Sequence, residues 1–195
     1  MKQKDHKALA KFLLDCAGDR QVLKKTWHRR FFLCGCLSPD YLPLTYFCGF
    51  QRHHTMRGHH ARYSQKKIGK SIQRLQKRGV HRLRDCFRLG TLMHYLSDSF
   101  TYSHTDEFCG DMRAHRDYEN RLHPYFSSAL LQTVPLLCQS ASRAEPFDEW
   151  LLQKRCEYAA DDCNLLRDCT YILQACTELF CGLCAEASAD RADFI

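Results

Sequence analysis

The segment Thr91–Glu119, TLMHYLSDSFTYSHTDEFCGDMRAHRDYE, decides the reading of this 195-residue chain. It carries three histidines, His94, His104 and His115. Asp98 stands four residues after His94, and Glu119 four after His115. On a helix, residues i and i+4 lie one above the other on one face, so each pair can grip a single ion. His104 follows His94 by ten residues, which turns it about 80° away if the helix reaches that far. Imidazole nitrogen and carboxylate oxygen are ordinary zinc ligands, and a catalytic zinc takes about three of them and keeps one position for water. A lone pair of this kind is usually a surface contact. Here two pairs flank a third histidine, and Tyr95, Leu96, Phe100 and Tyr102 mark the helix as buried. Buried charge needs a partner, and a metal can serve several groups at once.

LMHYLSDSFTYSH followed by AHRDYE resembles the zinc-dependent phospholipase C family. That family includes secreted bacterial phospholipases C and is related in fold to single-strand-specific zinc nucleases. Its pattern is a histidine, an aspartate four later, a histidine ten after the first, and then a His/Glu pair four apart. His94, Asp98, His104, His115 and Glu119 match all five positions. The resemblance covers about residues 6–126. It implies an all-α fold, one multi-helix bundle over residues 1–195, with a helical C-terminal part over 128–188.

The resemblance implies further ligands. His6 stands on the first helix, in HKALAKFLLD, where the family carries a histidine ligand. Asp40 lies in SPDYLP, where the family has a metal-binding aspartate. A histidine between Asp40 and His94 is also implied. His59, after Gly58, fits best, with His54 and His60 left open. In the secreted members, an amino-terminal tryptophan binds the same zinc as the first histidine, through its amine and carbonyl. None of the five residues before His6 is a tryptophan.

The implied arrangement holds two or three zinc ions. Asp40, His59, His94 and Asp98 take one, His104, His115 and Glu119 take another, and Asp98 bridges toward a third held by His6. The implied activity is hydrolysis of a phosphodiester by zinc-activated water, with Asp40 and Asp98 as the catalytic carboxylates. The implied substrate is a phospholipid or another phosphodiester. Alternatives are a nuclease-like phosphodiesterase, for which nucleic acid is the weaker expectation as a partner, and an inactive zinc-binding protein of the same fold.

Composition agrees with a globular helical chain. Hydrophobic residues are 45% and charged residues 26%, while five prolines and nine glycines are too few for an all-β fold. No apolar run reaches the roughly 18 residues a transmembrane helix needs. The start, MKQKDHKALAKFLLDCAGDR, does not read as a signal peptide, because Lys7, Lys11 and Asp15 interrupt its apolar run. A cytoplasmic product is the expectation. The thirteen cysteines then read as free thiols. Cys156, Cys163, Cys169 and Cys176 are spaced to recur on one helix face as small apolar residues. A four-cysteine zinc site from Cys34, Cys36, Cys181 and Cys184 would need a second CxxC that is missing.

Charge is uneven. Residues 1–100 carry 21 Lys/Arg against 6 Asp/Glu, and residues 101–195 carry 8 against 16. The basic half suits a phosphate-bearing partner. Its densest part is a helix over 61–76 with Lys66, Lys67, Lys70 and Arg74 outside and Ile68, Ile72 and Leu75 inside, ended by Gly79. An anionic membrane surface is the partner this face suits.

Other elements follow from apolar periodicity and prolines. A helix over 20–37 is expected to stop at Ser38-Pro39, and the His115 helix to end or kink near His123, which precedes Pro124. His123, four residues past Glu119, is a further position for a ligand or a ligand-supporting group. Residues 41–50 read as a loop or pocket lip, 128–140 as a separate helix, and 147–188 as one long helix or two.

Overall fold

The computed structural model describes residues 1–18, 23–41, 61–133 and 146–189. These form seven α-helices, and no strand is present among the described residues. They are α1 (Gln3–Ala17), α2 (Thr26–Tyr41), α3 (Ala61–Arg78), α4 (Leu83–Ser99), α5 (Met112–Gln132), α6 (Phe147–Ala160) and α7 (Leu165–Ala189). A single 3-10 turn, Tyr102–His104, lies between α4 and α5. The all-α expectation stands. Residues 42–60, which hold His54, His59 and His60 and the expected pocket lip, lie outside the described residues.

Helix α4 is the axis of the fold, and α1, α2, α3 and α7 all pack on it. Every residue from Leu92 to Phe100 is buried. A helix buried on all sides is a central one. Leu89, Leu92, Met93 and Leu96 meet Phe32 of α2, Ile68, Ile72 and Leu75 of α3, Leu9 and Leu13 of α1, and Ile172, Leu179 and Phe180 of α7 in one core. Gly79 ends α3 with φ of 64°, as expected, because only glycine takes the left-handed region without strain.

Two glycines set how closely α2 and α4 approach. A Cβ on Gly35 would lie 2.1 Å from the Phe87 carbonyl oxygen, and one on Gly90 would lie 2.1 Å from that of Phe32. The two backbones therefore touch directly. Thr91 Oγ1 reaches across to the Gly35 carbonyl at 3.3 Å.

This crossing explains the first departure from the sequence expectation. Helix α2 does not stop at Ser38-Pro39 but runs through Pro39 to Tyr41. Proline has no N–H for the carbonyl four residues back, which is that of Gly35. The Ser38 hydroxyl donates to that carbonyl at 3.2 Å, and the Thr91 hydroxyl, which also reaches the Phe87 carbonyl at 3.0 Å, shares its proton with it. The extra turn carries Asp40 toward α4. Likewise α5 does not end at His123 but continues through Pro124 to Gln132, and so absorbs the start of the helix expected from 128. Residues 147–189 form two helices rather than one.

The thiol pattern also departs from expectation. Cys169 and Cys176 are buried on α7, but Cys156 and Cys163 are exposed, because Cys163 lies in the connection between α6 and α7. Cys16, Cys34, Cys36, Cys86, Cys109, Cys156, Cys163, Cys169 and Cys176 are free thiols, whereas Cys181 is disulfide-bonded.

Gly90→Ala is expected to destabilise the protein by about 1–3 kcal/mol, the usual cost of overpacking. In an open helix the same change stabilises by roughly 1 kcal/mol, so the sign of the shift in thermal unfolding checks the direct contact. A variant as stable as the parent would refute it.

Candidate metal centre

Five separate elements carry the side chains of the site, and the chain's amino group joins them. His6 projects from α1, Asp40 from the last turn of α2, and His94 and Asp98 from α4. His104 ends the 3-10 turn, and His115 and Glu119 come from α5. The expected reach of α4 to His104 is not realised, since α4 ends at Ser99. His104 is instead brought in by a turn whose backbone closes from His104 N–H to the Thr101 carbonyl at 2.8 Å. Helix α5 begins at Asp111, whose carboxylate accepts from the Arg113 and Ala114 N–H groups. That cap satisfies two orphan donors and sets the register of His115 and Glu119.

Two groups of three emerge, each with its ligand atoms within 4.8 Å of one another: His6, His94 and Asp98, and His104, His115 and Glu119. His6 thus groups directly with His94. Asp40 approaches the first group, its Oδ1 3.6 Å from His94 Nε2.

The hydrogen bonds around the first group fix both imidazole tautomers. His94 Nδ1–H donates to the Cys36 carbonyl at 2.8 Å. The Ser97 hydroxyl donates to the His94 carbonyl at 2.8 Å, so its oxygen accepts from His6 Nδ1–H at 3.2 Å. Both Nε2 atoms are left as acceptors. Yet His6 Nε2 lies 3.2 Å from Asp98 Oδ1, and His94 Nε2 lies 3.2 Å from Asp98 Oδ2. The His6 Nε2 atom makes no hydrogen bond. Acceptors facing acceptors at this distance, in a buried place, call for a cation between them. Ligands about 2.1 Å from a tetrahedral zinc stand roughly 3.4 Å apart, so the spacing and the donor set both fit that ion. Ring nitrogens held by a carbonyl and a hydroxyl on their far side are the usual support for metal-bound histidine.

The second group is similar. Glu119 Oε1 stands 3.1 Å from His115 Nε2 and 3.3 Å from His104 Nε2. The Met1 ammonium lies between the groups, donating to Asp98 Oδ1 at 2.9 Å, with Glu119 Oε1 at 2.8 Å and His104 Nε2 at 3.1 Å. The family resemblance points to an amino-terminal amine at such a place, but ties it to a tryptophan that does not precede His6 here. Ser97 was also missed. A serine three residues past His94 in an apolar stretch was its only signal.

Electrostatics follow from burial. Loss of water lowers the Met1 ammonium, but Asp98 and Glu119 outweigh this and raise it to about 11. Burial alone would raise both carboxylates. The Met1 ammonium beside them holds Asp98 and Glu119 well below the ordinary range. Burial drives His6 down to about 3, helped by the His94 ring stacked on it at 3.8 Å, and drives His104 down to about 4. The site opens on one side. Asp98 is 1% exposed, whereas Asp40 is 17% and His115 20% exposed.

His123 joins neither group. Its Nδ1 pairs with Asp5 Oδ1, and Asp5 is the buried neighbour of His6 on α1. The pair ties α1 to α5. Cys34, Cys36, Cys181 and Cys184 join no metal-binding group among the described residues.

Chelated protein should lose stability as pH falls. An exposed imidazole titrates near ~6.5, so between that pH and about 4 the unfolded chain binds protons that folded His6 and His104 refuse. Where the unfolded state binds more protons, stability rises with pH. The histidine contribution is therefore complete above ~6.5 and is lost on acidification toward 4. Melting several degrees lower at pH 5 than at pH 7, with chelator present, is the expected result. Equal melting temperatures would contradict the buried neutral imidazoles.

The sequence matches the family model described as zinc dependent phospholipase C over residues 5–165. No curated protein and no solved structure matches.

Proposed function

The chain belongs to the zinc-dependent phospholipase C family, and from that premise we propose that it is a zinc-dependent phosphodiester hydrolase acting on phospholipid. The observation that carries this reading is Asp98, buried and faced on both oxygens by imidazole acceptors. His6, His94 and Asp98 would hold one zinc with Asp40 at its open side, and His104, His115 and Glu119 a second. His59 is proposed to complete the first. When bound, zinc supplies Lewis-acid chemistry, neutralising phosphodiester charge and making water acidic enough to attack near neutral pH.

The chain's own groups divide the remaining work. Asp98 offsets the cationic charge gathered on the two ligand groups. Asp40, at the open side, receives the proton of the attacking water and orients it. Cys36 carbonyl and Ser97 hold the His94 and His6 rings, so the geometry is set before substrate arrives. The Met1 amino group takes a place between the two groups, and its nitrogen can serve a metal there once it gives up its proton.

Asp98→Asn keeps the shape and removes the charge. The expected result is loss of at least one zinc by elemental analysis, retained helical content, and a fall in phospholipid hydrolysis of about a hundredfold or more, the scale of losing a key electrostatic group. Asp117→Asn, exposed on α5, is the control and should change neither. The assignment is falsified if the two variants behave alike. Hydrolysis of single-stranded nucleic acid in preference to phospholipid would instead favour the nuclease-like reading.

The exposed face of α3, with Lys66, Lys70 and Arg74, is proposed to hold the enzyme at an anionic lipid surface; Lys67, expected beside them, instead donates to the Tyr95 hydroxyl of α4 at 2.9 Å. Each basic residue close to such a surface contributes about 1 kcal/mol. Binding to vesicles containing anionic lipid should weaken with added salt and with charge reversal of these three residues. Binding indifferent to both would leave α3 a solvated face.

A further inference from the structure

The histidines and carboxylate of the second group come from two different elements, the turn ending at His104 and the α5 helix. Something must fix the distance between them. Among the described residues, none from 161 onward belongs to either metal-binding group, and Asp168 lies beyond the 5–165 family match. Yet Asp168 on α7 is wholly buried and touches both elements. Its Oδ2 accepts from the Tyr102 backbone N–H at 2.8 Å, at the start of the His104 turn. The same oxygen accepts from the Tyr118 hydroxyl at 2.8 Å, and Tyr118 is the residue before Glu119. The Tyr102 and Tyr118 rings also meet, with centroids 5.5 Å apart.

The other oxygen faces away from the site. Asp168 Oδ1 accepts from Tyr158 of α6 at 2.7 Å and lies 3.6 Å from the Arg167 guanidinium. Arg167 is itself buried, and it donates to Tyr158 Oη at 3.1 Å and to the Asp161 carbonyl at 3.1 Å. The carboxylate thus has one oxygen on the metal-site side and one on the scaffold side. A buried carboxylate is costly unless paired, and this one is paired by Arg167 and by three hydrogen-bond donors.

Resting on the metal reading above, we propose that Asp168 is a positioning residue for the second metal. Through one oxygen it locks the His104 turn to the Glu119 turn of α5, so that His104, His115 and Glu119 converge without ordering cost when the ion binds. A group of this kind acts on metal affinity, not only on folding.

The tyrosines separate the two roles. Tyr118→Phe removes a hydroxyl from the site-facing oxygen, and Tyr158→Phe removes one from the scaffold-facing oxygen. Zinc stoichiometry and chelator competition are measured on both, on Asp168→Asn and on the parent, with helical content and thermal unfolding alongside. Expected is one weakened zinc of two, its Kd raised about tenfold or more in Tyr118→Phe and Asp168→Asn, the scale of losing a ligand's supporting contact. Tyr158→Phe should lower thermal stability and leave zinc affinity unchanged. If the two tyrosine variants lose stability alike and both keep the parent's zinc affinity, Asp168 is scaffold alone and the proposal is overturned. A parent that takes up no zinc overturns this proposal together with the metal reading. A parent with two zincs and unaltered variants overturns this one only. Should Asp168→Asn fail to fold, the tyrosine pair decides.

Discussion

A carboxylate taken out of water demands positive charge, and Asp98 makes that demand in the middle of the protein. It is fully buried in the last turn of α4, where the helix dipole adds negative rather than positive potential. The buried His6 ring beside it stays neutral, with its N–H turned to Ser97, and the His94 Nδ1–H is held by the Cys36 carbonyl. Around this one requirement the amino end of the chain, α1, the His104 turn and α5 are drawn together. The Met1 ammonium meets part of that demand. A zinc ion would answer the same electrostatic need with a stronger and more directional cation.

Much of this was legible in sequence because it is local. The four-residue spacings of His94/Asp98 and His115/Glu119 are properties of a helix turn, and both pairs lie on helices in the structure. The amphipathic α3 and its end at Gly79 are local for the same reason. What failed was nonlocal. Pro39 reads as a stop because the sequence does not show that the Ser38 hydroxyl can satisfy the Gly35 carbonyl. His104 was placed by continuing helical geometry, but the chain leaves α4 at Phe100 and returns His104 to the site through a 3-10 turn. His123 stands at a ligand-like spacing from Glu119, yet Asp5, more than a hundred residues away in sequence, takes it.

The C-terminal helices offer no chemistry to a sequence reader, and none of their described side chains belongs to a metal-binding group. Their contribution is to packing and to one buried polar knot. Leu179, Phe180 and Ile172 of α7 complete the core beneath α4. Asp168, Arg167 and Tyr158 join α6 and α7 to the other side of the site. An Asp in an apolar helix reads as a surface residue until its partners, a backbone N–H and two tyrosines from three distant segments, are known. Networks of this type specify one arrangement because every member must be satisfied together.

The backbone contact at Gly35 and Gly90 has a consequence for how this protein tolerates mutation. The Cys36 carbonyl that orients His94 belongs to the residue after Gly35, and His94 is one turn beyond Gly90. Any side chain that wedges α2 from α4 therefore lifts that carbonyl off the ring and moves Asp40 away from the centre. In a saturation screen scored by catalysis, both glycines would rank among the most sensitive positions, although neither has an atom that could bind an ion or a substrate. Positions of this sort mark where backbone spacing, rather than functional groups, limits how far a helical chain can drift in sequence.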